Sequence, residues 1–102
     1  MKKLAPYNNQ IILIIDNLEV DKNGEFSSHD FIKRFSKEFQ KKYIELLYEY
    51  KDSGHAFKSL HGQIAKHLSE NKSLFKIEKA DRKGSEDIFG DIVEVQWWKK
   101  VI

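Results

Sequence analysis

The chain of 102 residues contains no cysteine. Disulfides, thiolate nucleophiles and cysteine-based zinc sites are therefore excluded. A small domain without such staples has to stand on packing alone, which suits a reducing, cytoplasmic setting. Long apolar runs are also missing. The run Ile11-Ile12-Leu13-Ile14-Ile15 is too short for the core of a signal peptide or for a bilayer span, so no membrane association is expected. Charge of one sign is nearly balanced out: 18 Lys and Arg stand against 16 Asp and Glu, for a net charge of +2. The isoelectric point near 8.7 lies below the value of about 9 that marks a strong nucleic-acid footprint. A polyanion partner would have to be recognised by where the charges lie. The four histidines, His29, His55, His61 and His67, include no i, i+4 pair and no His-Glu-x-x-His pattern. No metal site and no cofactor is expected from them.

What is present describes an ordinary globular chain. Hydrophobic residues make up 40%, charged residues 33% and aromatics 13%, a composition that argues for one ordered domain over residues 1–102. Residues 1–7 read as an irregular tail punctuated by Pro6, with Asn8 as an N-cap for the next segment. Residues 10–20 are ambiguous. The isoleucine run has strand composition, yet Ile11, Ile14, Ile15 and Leu18 fit the i, i+3, i+4, i+7 template, and helix is favoured. Asp21-Lys22-Asn23-Gly24 is a turn signal, Glu25-Phe26 a short extended piece, and Ser27 to Asp30 helix-capping chemistry.

The strongest helical pattern spans 29–51. Phe31, Phe35, Phe39, Tyr43, Leu46 and Tyr50 form one apolar face, and Gly54 closes the segment. This predicts one long helix, or two broken near Ser36. A further helix over 56–70 buries Phe57, Leu60, Ile64 and Leu68. Residues 74–78 alternate like a half-buried strand, Asp81 to Ser85 read as a loop, and 92–98 as a second strand. Together they predict a C-terminal β-hairpin. In Trp97-Trp98 one ring is expected in the core and the other outside it.

The order helix, short strand, helix, helix, strand, loop, strand resembles the winged-helix superfamily. The segment Gly24 to Phe31 looks like the family's first short strand and the entry to its second helix. Residues 57–71 sit where the family keeps its recognition helix, and Lys79 to Gly90 where it keeps the wing. The fold expectation is α+β: a small winged-helix-like domain of three helices, the second one long, with a C-terminal β-hairpin. The long second helix departs from the family's usual length.

The resemblance implies double-stranded DNA as a partner. On the 56–70 helix the face opposite the apolar stripe carries Ser59, Gly62, Gln63, Lys66 and, at its margin, Lys58. Gln63 is suited to adenine, and Lys66 to guanine or phosphate. Gly62 allows close backbone approach at a helix cost of about 1 kcal/mol. The bland alternative is a solvated face that touches nothing. Lys33, Lys37 and Lys41 form a basic row suited to phosphates, or a solubilising face. Arg82 and Lys83 are the wing's candidates, opposed by the acidic Glu86, Asp87 and Asp91 directly after them.

Catalysis is not expected. Asp91, Glu94 and Gln96 superficially echo the Asp…Glu-x-Lys pattern of metal-dependent nucleases, but glutamine replaces the lysine and the Asp–Glu spacing is too short. The leading expectation is a non-enzymatic DNA-binding module of the kind that serves as a transcriptional regulator. The alternative is a protein-interaction or dimerisation module that uses the aromatic helix 29–51.

Overall fold

The computed structural model describes residues 1–101. Its elements run α1 (Asn8–Asn17), β1 (Glu25–Ser27), α2 (Ser28–Glu38), α3 (Gln40–Tyr48), α4 (Ala56–Glu70), α5 (Lys72–Phe75), β2 (Ile77–Glu86) and β3 (Ile92–Lys100), preceded by a 3₁₀ turn at Ala5–Tyr7. The class is α+β, with a three-stranded antiparallel sheet in the order β1-β3-β2. Among the described residues no helix is long and apolar enough to cross a membrane.

Five α-helices replace the three expected. One addition comes from the 29–51 segment, which breaks at Phe39 (φ −124°, ψ 54°) and not near Ser36. The other is the one-turn α5, stopped by Lys76 in the left-handed region (φ 54°). Residues 74–78 are therefore not one strand, and their alternation was accidental. Leu74 is exposed, Phe75 buried, and the strand starts only at Ile77. Asp81 to Ser85 is likewise not a loop but lies within β2; it reads as polar because it runs along the sheet edge. The turn of the hairpin falls at 87–91.

The ambiguous 10–20 stretch is helical. Ile11, Ile14 and Ile15 are buried, whereas Leu13 points outward; a strand would have divided these residues between two faces. Asn8 does not cap the helix, which starts there without a side-chain cap. Its Oδ1 instead accepts a hydrogen bond from His67 Nε2 at 2.8 Å, and the α-amino group of Met1 donates to His67 Nδ1. The first residues are thus not an irregular tail, and Leu4 is almost fully buried. Gly54 (φ 80°) does not cap the long helix directly, because α3 ends at Tyr48.

The core is one continuous cluster, in which Trp98, Phe26, Phe31, Phe35, Leu60 and Leu68 join the sheet to the apolar stripes of the helices. At its centre a polar clasp ties the hairpin to the start of α2. Ser27 caps α2 in a capping box with Asp30. Ser85 Oγ donates to Ser27 Oγ at 2.7 Å, His29 Nδ1 donates to the Ser85 carbonyl, and Trp98 Nε1 donates to Ser28 Oγ. The clasp fixes where the hairpin stands relative to the helices.

Candidate functional site

Helix α4 has two surfaces that the core does not use. The outer one carries Lys58, Gly62, Gln63 and Lys66, all exposed. A methyl group at Gly62 would meet nothing within 4 Å, so no packing inside the chain requires glycine there. Ser59 is half-buried and shares a 2.8 Å hydrogen bond with His55 Nδ1, which leaves it less free than its position on the helix implied.

The second surface is a groove between the first half of α4 and the hairpin, with a volume near 1040 Å³. Phe57, His61, Gly62 and Ala65 of α4 form one side, Arg82, Val93 and Val95 of the hairpin the other, and His29 and Ile32 of α2 contribute as well. The hairpin turn closes over one end. Asp87 Oδ1 accepts from the backbone N–H groups of Phe89 and Asp91, both at 2.9 Å, and Gly90 takes φ 87°. These bonds hold the Asp87 carboxyl below the usual carboxylate range. The turn aims Ile88 at the core and sets the Phe89 ring edge-on to Phe57, with centroids 4.9 Å apart.

In the wall of the groove His61 pairs with Tyr43, Nε2 to Oη at 2.6 Å. Burial pushes the imidazole down to about 4 and the phenol up to about 12. Both are neutral over the ordinary pH range. With the phenol as the donor to Nε2, the His61 proton sits on Nδ1.

The expected site residues separate into groups. Lys58, Gly62 and Arg82 all border the groove, whereas Gln63 and Lys66 lie on the outer face alone. Arg82 and Lys83 are strand residues, not loop residues. Among the described residues Arg82 reaches only the Glu94 carbonyl, at 3.4 Å. Lys83 is half-exposed and engaged with its neighbours: its Nζ lies 2.9 Å from Glu25 Oε1 and 4.5 Å from the centroid of Trp97. Lys33 and Lys37 lie on α2, and neither borders the groove. Of the two tryptophans, Trp98 is the core ring and Trp97 is half-buried.

Sequence reasoning missed His61 and Phe89 as site residues. The pairing of His61 with Tyr43 crosses helices and has no local signature. Phe89 was open to inference, because Asp87-Ile88-Phe89-Gly90 is a turn with an Asx acceptor and a glycine suited to positive φ. The chain matches no protein family, no curated protein and no solved structure.

Proposed function

We propose that the chain is a non-enzymatic winged-helix-type module that binds double-stranded DNA by laying α4 in the major groove. The element order, with sheet order β1-β3-β2 and the longest helix separated from the hairpin by the one-turn α5, supports the winged-helix reading. The observation that carries the DNA reading is the outer face of α4. Lys58, Gln63 and Lys66 make no hydrogen bond or ion pair among the described residues, so their donors remain available to phosphates and base edges. The hairpin turn contributes little to phosphate contact, since it carries Asp87 and Asp91 and no cation. Arg82, on the flank of β2, takes that role. Lys83 is committed to Glu25.

Fluorescence anisotropy with a mixed-sequence duplex at low salt tests the reading. Binding that weakens about tenfold or more in the Lys58→Ala/Lys66→Ala double variant supports it. No binding at low salt, or equal binding by the double variant, overturns it.

A second reading, self-association or a protein partner, rests on α3. The apolar face of the 29–51 segment is spent in this region, because Tyr43 is buried and Leu47 and Tyr50 pack against the core. Ile44 and Tyr48, one turn apart, are instead 63% and 65% exposed. Light scattering distinguishes this reading: a dimer that Ile44→Asp converts to monomer favours it, and a monomer at every concentration removes the dimer form.

A further inference from the structure

We propose that the groove between α4 and the hairpin is a binding site for a small aromatic carboxylate. The inference does not rest on the DNA reading, although Lys58 and Arg82 serve both.

The shape comes first. A groove near 1040 Å³ is at the upper end of the range of small-molecule sites, about 300–1,000 Å³. Its walls are mostly apolar, and its most prominent ring is held in place by the turn. The turn is pinned by hydrogen bonds from the Phe89 and Asp91 N–H groups to Asp87 Oδ1, and the Phe89 ring stands at 86° to Phe57, yet remains 62% exposed. Val93, across the groove, is 47% exposed. A large apolar side chain packed along one edge but otherwise uncovered presents a surface that a flat ring would remove from water.

The charge comes second. Two of the cations bordering the groove, Lys58 and Arg82, have no carboxylate partner among the described residues. The third, Lys51, is paired with Asp52 at 3.3 Å. Asp87 is the acid that borders the groove, and its Oδ1 is already occupied by the turn. The wall also offers a directional donor. With Tyr43 as the donor to His61 Nε2, the His61 Nδ1–H is left without a partner among the described residues. An apolar slot with a neutral N–H in its wall and two unpaired cations at its rim complements a planar hydrocarbon body carrying one carboxylate. A neutral aromatic would leave the cations unused. A bare inorganic anion would leave the rings uncovered.

The experiment is a titration of the ¹⁵N-labelled full chain, without DNA, with 2-naphthoate and, separately, with its uncharged isostere 2-naphthalenemethanol. Saturable shifts at Phe57, His61, Phe89 and Val93 are expected, with naphthoate binding about tenfold more tightly than the alcohol. Lys58→Ala/Arg82→Ala, two exposed positions, should bring naphthoate down to the affinity of the alcohol. Phe89→Ala should weaken both ligands. No saturable shifts in the groove, equal affinities of the two ligands for the unaltered chain, or naphthoate binding unchanged in the double variant would each overturn the proposal. The comparison of the two ligands on the unaltered chain stands even if Phe89→Ala loosens the turn. Because no duplex is present, failure here leaves the DNA reading intact.

Discussion

Ser27 joins two jobs in one oxygen. Its Oγ accepts from the Asp30 N–H at 2.9 Å to cap α2, and it accepts from Ser85 Oγ to tether the hairpin. The residue is fully buried, so its loss leaves groups that water cannot reach. Ser27→Ala should destabilise the fold by about 2 kcal/mol, at the upper end for an N-cap, read as a lower urea midpoint with an unchanged slope. A loss under about 0.5 kcal/mol would mean the tether contributes nothing beyond an exposed cap. His61 makes a pH-dependent contribution. Its folded value near 4 lies below the usual 6.5, because burial disfavours the charged ring. The neutral ring's stabilisation is therefore complete above pH 6.5, declines as pH falls below that, and is gone near pH 4. With solvent reaching part of the ring, the amount lost is about 1–2 kcal/mol. Between pH 7 and pH 4.5 the chain should lose more stability than His61→Phe does, as read from urea midpoints at the two pH values. Parallel losses would show that burial of the ring carries no such cost.

At the scale of elements, the hairpin turn decides whether the groove has a wall. Gly90 sits at φ 87°, a conformation that costs about 1 kcal/mol with a side chain. Gly90→Ala should lower stability by roughly that amount and disturb the amide resonances of Phe57 and Phe89 together, since the turn places one ring on the other; an unperturbed Phe57 would show that the contact does not depend on the turn. The sequence pointed to a hairpin but put its turn in the wrong place. Asp81 to Ser85 is polar and contains Gly84, the usual marks of a loop, yet an edge strand open to solvent has the same composition. The break in the aromatic helix was hidden for the opposite reason. Phe39 stands four residues from both Phe35 and Tyr43, so the periodicity passes through the break, and its ring still stacks on Phe35 with centroids 5.7 Å apart. Where periodicity coincided with burial, in α1 and α4, the reading was sound for most positions: Ile11, Ile14 and Ile15, like Leu60, Ile64 and Leu68, are all core residues, whereas Phe57, expected to be buried with them, is half-buried and borders the groove. The outer face of α4 was legible because it is the complement of that stripe. The groove was not, because it is made by a turn, two strands and two helices that meet only in three dimensions.

For the whole molecule, a net charge of +2 makes long-range attraction to DNA weak, and any affinity must come from a few well-placed cations. The structure limits which ones can act together. Lys58 and Arg82 border one groove, Lys66 lies two turns along the same helix from Lys58, and Lys83 is paired with Glu25. Three cations neutralising three phosphates give a slope of log affinity against log salt on the order of −2.7. If Lys33 and Lys37 on α2 also touched the backbone, the slope would steepen to about −4.5. Anisotropy titrations with duplex DNA from about 30 to 200 mM salt separate these values. We expect the shallower slope, flattened further by Arg82→Ala and unchanged by Lys83→Ala, since the Lys83 charge is already met by Glu25 at 2.9 Å. A slope near the steeper value would move the contact surface from α4 and β2 to include α2, and a slope near zero would remove phosphate recognition as the basis of binding altogether.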